Sequence, residues 1–246
     1  MNKRVAVVSG GIGGLGTEIC KSLARAGRRV IAADLGSRAE RIAQFESDIQ
    51  GLDIGFEPLD VTDFEACGAL VRKLQAAHGS LDILVNAAGI TRDTTLRKMD
   101  KLQWDQVLNI NLDGVFNLTR HAVEGMVERS FGRIVNISSV NGQTGQFGQT
   151  NYCAAKAGMH GFTMALAREV ARKGVTVNSV SPGYCETALV LAIPEPIRAK
   201  IIDSVPVGRL GRPDEIARTV EFLTADEAGF ITGANVPVNG GLFMSF

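Results

Sequence analysis

Short apolar, β-branched runs recur along this chain, separated by longer segments whose apolar residues follow helical spacing. Strands are predicted at residues 4–9, 29–34, 53–60, 81–89, 132–138, 175–183 and 234–241. Helices are predicted after residue 16, at about 38–50, 62–78 and 100–129, and from 152 onward. Apolar strands that alternate with helices of about 12 residues or more form parallel sheets. The pattern predicts an α/β fold: a single Rossmann-type doubly wound parallel sheet of about seven strands flanked by helices.

One segment interrupts this alternation. Residues 184–212 follow a predicted strand and contain a short helical piece, EPIRAKIIDS, set among prolines. An irregular insertion after the carboxyl end of a strand is typical of a lid or binding loop. No linker composition or internal repeat divides the rest of the chain. We therefore expect residues 1–246 to form a single domain with a substrate lid at about 184–212.

Composition narrows the classes of function. The chain has 246 residues, with 26 basic and 26 acidic side chains. Proteins that bind nucleic acid or anionic membranes carry a basic excess, so we expect neither partner. No apolar run reaches the roughly 18 residues of a membrane span. We also expect no metal site. The cysteines have no zinc-type spacing and are interpreted as free thiols of a cytoplasmic protein; they are Cys20, Cys67, Cys153 and Cys185.

A glycine-rich turn joins the first predicted strand to the first helix. Glycine permits a tight turn and lets the backbone approach a pyrophosphate at the helix N-terminus. A plain strand-to-helix turn is the alternative interpretation. The candidate dinucleotide-binding residues of this turn are Gly10, Ile12, Gly13, Gly14 and Gly16.

The cofactor preference depends on Asp34, which ends the second predicted strand about 20 residues beyond the glycines. A carboxylate here accepts hydrogen bonds from the adenosine ribose and repels a 2′-phosphate. NADH is therefore favoured, with NADPH as an alternative because Arg38 lies nearby. Asp34 as a helix N-cap is the competing interpretation. Further cofactor candidates follow at the carboxyl edge: Asp60, Val61, Asn86, Ala88, Gly89, Pro182, Gly183 and Cys185.

The strongest chemical pattern is a serine followed by a tyrosine and a lysine. Ser139 directly follows the predicted strand 132–138, at the carboxyl end, where ligands bind in open α/β sheets. Tyr152 and Lys156 are four residues apart in a predicted helix, so their side chains share one face. A phenol beside a fixed cation is expected to have a pKa below its usual value of about 10. The alternative is a surface pair that only stabilises the helix.

Together these motifs resemble the short-chain dehydrogenase/reductases over essentially the whole chain. The matching segments are SGGIGGLG at 9–16, NAAG at 86–89, NINLDG around Asn111, Ser139, YCAAK at 152–156 and PG at 182–183. Ser9 and Ala87 depart from the commoner threonine and asparagine. The resemblance implies an NAD(P)H-dependent oxidoreductase that acts on alcohols and ketones. It also implies that Asn111, Ser139, Tyr152 and Lys156 are catalytic, with Tyr152 and Lys156 contacting the cofactor.

Within the family the chain resembles the bacterial acetoacetyl-CoA reductases of polyhydroxybutyrate synthesis. This resemblance rests on ITRDTTLRKM at 90–99, NISSVNGQTGQFGQTNY at 136–152 and KAGMHGFTMALA at 156–167. It implies an acyl-CoA substrate, and the 3-oxoacyl-[acyl-carrier-protein] reductases are the alternative. A non-catalytic nucleotide-sensing module is the non-enzyme alternative. The implied substrate residues are Asp93, Ser139, Gln146, Phe147, Gln149, Gly183 and Tyr184.

Two secondary expectations concern partners. Arg129, Arg172 and Lys173 are candidates for a basic patch that serves CoA phosphates or a carrier protein. Gly158 and Gly161 each destabilise the catalytic helix by about 1 kcal/mol relative to alanine. Close packing against another subunit would explain them, and the family resemblance implies a homotetramer.

Overall fold

The computed structural model describes residues 3–244, with the backbone alone for Leu189. Seven parallel strands form one sheet in the order β3-β2-β1-β4-β5-β6-β7. The predicted fold is confirmed, and each predicted strand lies within three residues of an observed one. The strands are β1 Val5–Ser9, β2 Arg29–Asp34, β3 Ile54–Pro58, β4 Ile83–Asn86, β5 Gly132–Ile137, β6 Val175–Pro182 and β7 Asn235–Val238.

Helices cover both faces of the sheet. They are α1 Gly14–Arg25, α2 Ala39–Asp48, α3 Phe64–His78, α4 Lys101–Leu108, α5 Gly114–Glu128, α6 Asn141–Thr144, α7 Thr150–Val170, α8 Ala188–Leu191, α9 Glu195–Ser204 and α10 Pro213–Leu223. The core has two parts. One packs α3, α5 and α7 against the sheet, and the other packs α1, α2 and α10 against the opposite face. The central strands are therefore buried on both sides, which explains their continuous apolar sequences.

Helix α10 is an element that the sequence pattern left unassigned. It begins with Pro213 at its first turn and buries Ile216, Val220 and Leu223, whose spacing defines one helical face. This face belongs to the same core cluster as α1. Helix α10 therefore closes the second layer next to β6 and β7.

The predicted helix over 100–129 contains a local rearrangement. Between α4 and α5 the backbone forms a π-helical turn, Asn109–Asp113. Such turns occur as local bulges in α-helices and are frequent at functional sites. Asn111 lies within this turn and is fully buried.

The predicted lid begins after β6 and returns to its own starting point. The amide of Gly211 donates to the carbonyl of Tyr184, and the amide of Glu186 donates to the carbonyl of Gly211, both at 2.9 Å. Between these bonds lie α8 and α9, and α9 coincides with the predicted helical piece EPIRAKIIDS. The segment is thus a loop with joined ends above the carboxyl edge of the sheet.

Candidate active site

The glycine-rich turn packs too closely for side chains. Gly10 has φ +66°, and a Cβ on Gly16 would lie 2.1 Å from the carbonyl oxygen of Gly10. A Cβ on Gly14 would lie 3.1 Å from the methyl group of Thr187 in the lid. Thr187 was not predicted, and this contact with the glycine turn identifies it as a further candidate. The bare backbone at the N-terminus of α1 is the cradle that a pyrophosphate requires.

A cleft extends from this turn along the carboxyl ends of β1, β2 and β4. Seven predicted cofactor residues line it: Gly10, Gly13, Asp34, Asp60, Val61, Ala88 and Gly89. The cleft also includes Leu35, Arg38, Ile90 and Ile110, which were not predicted to bind cofactor. Because the glycine cradle and a carboxylate meet in one cleft between parallel strands, the site fits a dinucleotide.

Asp34 occupies the position expected for ribose recognition. It is 8% exposed, and its Oδ1 accepts a hydrogen bond from the amide of Leu35 at 2.8 Å. A guanidinium nitrogen of Arg38 lies 3.6 Å from the same oxygen. The carboxylate therefore has a fixed orientation at the cleft, beside a cation that partly offsets its charge.

Three predicted cofactor residues have side chains directed elsewhere. Ile12 is fully buried in the core beneath the glycine turn. Asn86 donates to Asn136 at 2.8 Å and to Thr119 at 3.0 Å, so its side chain joins β4 to neighbouring elements. The buried Cys185 lies against the carbonyl of Gly183. Only the backbones of these three residues remain available to a ligand.

The carboxyl end of β5 is joined to α7 by two buried hydrogen bonds. Ser138 Oγ donates to the carbonyl of Lys156 at 2.9 Å, and Lys156 Nζ donates to the carbonyl of Ile137 at 2.8 Å. Ser138 therefore faces the turn of α7 that carries Lys156, whereas the hydroxyl of Ser139 lies by Tyr152 near the start of the same helix. Ser139 Oγ accepts from the amide of Asn141 at 3.1 Å.

Lys156 is buried, with 4% of its surface exposed. Its Nζ lies 5.6 Å from the centroid of the Tyr152 ring, so the predicted helical spacing does bring the two side chains together. Burial lowers the pKa of Lys156 to about 7. At neutral pH the isolated chain therefore holds this amine near its titration midpoint.

The expected lowering of the tyrosine pKa is wrong for the isolated chain. Burial raises the pKa of Tyr152 to about 12, and a hydrogen bond with Ser139 acts in the opposite direction. Lys156 does not overcome the effect of burial, because it is itself desolvated and only partly charged near pH 7. Tyr152 is consequently a protonated phenol at neutral pH, which is the form that can donate a proton.

The π-helical turn places Asn111 beside these groups. Its side-chain amide exchanges two hydrogen bonds with the backbone of Ile90, each 2.8 Å long. A Cβ on Gly89 would lie 3.0 Å from Asn111 Oδ1 and 3.5 Å from Lys156 Nζ. The four predicted catalytic residues are thus carried by elements that converge on the carboxyl ends of β4 and β5.

The predicted substrate residues form two groups. Gln149 donates to Asp93 at 2.8 Å and accepts from Asn141 at 2.9 Å, which connects the loop after β4, the first residue of α6 and the residue before α7. Gln146 and Tyr184 line a groove between α6 and the lid. Phe147 is 87% exposed and is not part of this groove.

The candidate basic patch lies at the amino ends of the strands, opposite the catalytic end of the sheet. Arg129 precedes β5 and donates to the carbonyl of Leu81 at 2.7 Å, just before β4. Arg172 and Lys173 precede β6. A strand of six residues such as β5 spans about 20 Å, so these cations are remote from the catalytic end within one chain.

Packing within the chain accounts for a glycine at position 158, because a Cβ there would lie 3.1 Å from the side chain of Leu112 in the π-helical turn. Within residues 3–244 no three metal-ligating side chains cluster. No helix in the described part of the chain is long and apolar enough to cross a membrane.

Comparison with known proteins identifies the family. The model described as enoyl-(acyl carrier protein) reductase matches residues 10–243. The chain is 55% identical to an acetoacetyl-CoA reductase of Allochromatium vinosum, over 98% of this chain and 99% of the relative. The chain belongs to the short-chain dehydrogenase/reductase family. As a member of this family it is an NAD(P)H-dependent oxidoreductase, which confirms the predicted class of enzyme.

Two further relatives extend the comparison. A 3-oxoacyl-[acyl-carrier-protein] reductase of Haemophilus influenzae is 42% identical over the full length of both chains. The crystal structure of gox2181 superposes with a TM-score of 0.91 at 36% identity, covering 98% of this chain and 96% of the other. Members of the family with ketone-reductase names therefore match this chain along its whole length.

Proposed function

We propose that this reductase converts acetoacetyl-CoA to (R)-3-hydroxybutyryl-CoA, with NAD(P)H as the hydride donor. The main support is that Ser139, Tyr152 and Lys156 lie together at the carboxyl end of β5. The chain that carries them is 55% identical to an acetoacetyl-CoA reductase. Such a reaction supplies the reduced monomer of polyhydroxybutyrate synthesis. The substrate is thus a short 3-oxoacyl thioester.

The roles of the residues follow from their protonation states. When bound, the cofactor supplies a hydride to the ketone carbon. Tyr152 donates a proton to the ketone oxygen: its phenol, whose pKa burial raises to about 12, is protonated at neutral pH. Ser139 donates a second hydrogen bond to the same oxygen and fixes its position.

Lys156 and Asn111 act behind the tyrosine. The pKa of Lys156 is lowered to about 7, which lets the amine take and release a proton near neutral pH, so we assign it to the reprotonation of Tyr152. Asn111 is fixed by Ile90 close to this amine and is proposed to anchor a water on the same route. Lys156 is also proposed to bond the nicotinamide ribose.

The remaining cofactor and substrate assignments rest on placement. The glycine turn is proposed to hold the pyrophosphate, Asp34 the adenosine ribose, and Asp60 and Val61 the adenine. Gly89, Pro182 and Gly183 are proposed to border the nicotinamide side. Asp93, Gln146, Gln149 and Tyr184 are proposed substrate residues, because they lie in loops or a groove adjoining Ser139.

NADH is the proposed preferred cofactor. The support is the buried, oriented carboxylate of Asp34, which would repel a 2′-phosphate. Arg38 at 3.6 Å opposes this effect, since a guanidinium attracts phosphate. The carboxylate of Asp34 is more buried than the guanidinium of Arg38, so its repulsion of a 2′-phosphate is expected to exceed the attraction by Arg38.

The second candidate function is reduction of the same acyl group on acyl-carrier protein. It is supported by 42% identity over the full length to the reductase of Haemophilus influenzae. The chemistry at Tyr152 and Ser139 would be unchanged. Only the partner that carries the thioester differs.

A substrate panel tests the proposal. The purified chain is assayed with acetoacetyl-CoA, acetoacetyl carrier protein and a simple ketone, each with NADH and with NADPH. We expect the highest kcat/KM with acetoacetyl-CoA and NADH. A strong preference for the carrier-bound substrate would establish the second candidate instead, and no turnover of either thioester would refute both.

We further propose a single catalytic domain, because all seven strands belong to one sheet. A homotetramer is supported by exposed apolar side chains on α4, α5 and α7, namely Leu102, Phe116 and Met164. A monomeric mass in light scattering would contradict it. A cytoplasmic location is supported by the four free thiols.

A further inference from the structure

A groove leads outward from the catalytic end of β5, between α6 and the lid helix α9. Its walls are Asn141, Thr144, Gln146, Tyr184, Ile197, Lys200, Ile201, Ser204 and Leu242. It starts beside the proposed reaction centre, because the amide of Asn141 bonds Ser139 Oγ. Any long substituent on a ketone held by Ser139 and Tyr152 has this groove as an exit.

One face of α9 supplies the outer wall. Ile197, Lys200, Ile201 and Ser204 are separated by three, four and seven positions, the spacing of one helical face. The other basic residue of this helix has a different task. Arg198 donates to the carbonyl oxygens of Leu191 at 2.8 Å and Ile193 at 3.2 Å, which ties α9 to α8.

Lys200 is distinguished by its charge. Among the groove residues that the structure describes it is the only one with a charged side chain. It forms no ion pair with any carboxylate in residues 3–244. An exposed ammonium at the side of a groove with amide and apolar walls is suited to an anionic ligand that also has an uncharged stem.

A phosphopantetheine thioester has this composition. Its stem carries two amide groups, which Asn141 and Gln146 can bond, and a dimethyl group, which Ile197 and Ile201 can contact. Its far end is a phosphate. Resting on the proposed function, we propose that Lys200 binds the phosphate at the end of the phosphopantetheine arm and is a specificity-determining residue. The phosphate belongs either to CoA or to the modified serine of a carrier protein.

The test separates the phosphate from the rest of the substrate. Wild type, Lys200→Gln and Lys200→Arg are assayed with acetoacetyl-CoA, acetoacetyl carrier protein and the acetoacetyl thioester of N-acetylcysteamine, which has no phosphate. We expect Lys200→Gln to raise KM for acetoacetyl-CoA by about threefold to fivefold, the range of an exposed ion pair. kcat and the KM for the truncated thioester stay unchanged, and Lys200→Arg restores most of the affinity.

Salt provides a second readout. Exposed ion pairs weaken as ionic strength rises, so the wild-type KM for acetoacetyl-CoA increases with salt more than that of Lys200→Gln. The matched control is Lys73→Gln, an exposed lysine of α3 that pairs with Glu57 away from the groove. It should retain the wild-type KM and salt dependence.

The outcomes distinguish this inference from the function on which it rests. An equal loss with phosphate-bearing and truncated thioesters would mean that Lys200 only supports the lid, and would overturn the assignment. No change with any thioester would overturn it as well. An effect confined to the carrier-bound substrate would support the phosphate contact and identify the carrier arm as its source. Failure of the wild type to reduce any thioester would instead refute the proposed function.

Discussion

The β5–α7 region and the lid segment 184–212 face each other across one groove, yet they are held by different interactions. On the first side, Ser138 and Lys156 form buried hydrogen bonds that join a central strand to the longest helix. Gly142 lets the backbone of α6 approach that of Lys156, since a Cβ there would lie 2.9 Å from its carbonyl carbon. A displacement of Lys156 would break its buried hydrogen bond to the carboxyl end of β5.

The lid is attached at its ends and near residues 205–207, where Val205 is buried and the amide of Val207 donates to the carbonyl of Gly240 at 3.1 Å. Helix α9 has no buried residue, and the two hydrogen bonds between Tyr184, Glu186 and Gly211 close the segment. Arg209 and Glu215 form a bidentate ion pair at 2.7 and 2.8 Å, on the surface. Substitutions along α9 can therefore alter the groove with little effect on the sheet.

This difference matches the proposed division between catalytic residues and residues that select the substrate. Groups that must keep a fixed geometry and a shifted pKa lie on buried, rigid elements. The residues proposed to meet the variable part of a substrate lie on α9, which has no buried residue and is weakly constrained by packing. The comparison predicts that substitutions on the rigid side change kcat or stability, and that substitutions in the lid change KM.

Replacing Tyr152 by phenylalanine should have the largest effect. The substitution removes the proton donor and leaves the ring, so we expect kcat for acetoacetyl-CoA to fall by about 10³-fold, within the range of general acid catalysis. NADH binding, measured by fluorescence quenching, should persist. The chain has two tyrosines, and Tyr184→Phe on the lid side is the matched comparison, with a change mainly in KM. Substantial turnover by Tyr152→Phe would refute its role as the acid.

Replacing Lys156 by methionine should reveal the electrostatic cost of the buried amine. Lysine has a pKa of about 10.4 when unfolded, and burial lowers it to about 7 in the folded chain. Between these values the unfolded state binds more protons, so this residue makes wild-type stability rise with pH, and its cost is greatest below pH 7. Methionine removes that cost.

We therefore expect Lys156→Met to melt higher than wild type by about several degrees at pH 6, with the difference shrinking towards pH 9. Calorimetry at three pH values measures it. Lys73→Met, at an exposed surface lysine, should show no such trend. A difference independent of pH would mean that the charge of Lys156 is not destabilising in the fold.

Much of this contrast was readable from the sequence. Continuous apolar runs predicted the seven strands, because strands buried on both faces need no polar positions. The four-residue spacing of Tyr152 and Lys156 placed them on one helical face. The bounds of α9 followed from its prolines. Helix α10 could also have been predicted from the sequence, because Pro213 marks its start and Ile216, Val220 and Leu223 have helical spacing.

Other features depend on tertiary contacts. The π-helical turn at Asn111 accompanies its two hydrogen bonds with Ile90, which is distant in sequence. The direction of the Tyr152 pKa shift depends on burial, and spacing alone suggested the opposite sign. Lys200 is a candidate because α9 turns this side chain towards the groove, which the sequence of α9 does not specify. Tertiary hydrogen bonds, the burial that shifts a pKa and the orientation of a helix all depend on residues distant in the sequence.

Replacing Asp34 by alanine should change cofactor preference and leave the acyl substrate unaffected. Loss of the carboxylate removes the repulsion of a 2′-phosphate, and Arg38 remains to attract it. We expect the ratio of kcat/KM with NADPH to that with NADH to rise about tenfold, or about 1.4 kcal/mol. Asp60→Ala is the control, because the adenine proposed to lie against Asp60 is common to NADH and NADPH, so the ratio should keep its wild-type value. An unchanged ratio in Asp34→Ala would remove the basis for NADH preference.

The smallest effect is expected at the lid closure. Arg209→Gln breaks the exposed ion pair with Glu215. Such pairs contribute little free energy, so KM for acetoacetyl-CoA should rise by roughly twofold with kcat unchanged.

Arg209 holds the pKa of Glu215 low, at about 2. The contribution of Glu215 is therefore present above its unfolded pKa of about 4.3 and is lost as pH falls towards 2. Glu215→Gln should raise KM at least as much, because Glu215 also accepts from the amide of Arg212 and pairs with its guanidinium. Adding Arg209→Gln to Glu215→Gln should change KM no further, because the pair between Arg209 and Glu215 is already absent. A large fall in kcat in any of the three would show that the lid also orders the catalytic groups, and the division between chemistry and selectivity would no longer hold.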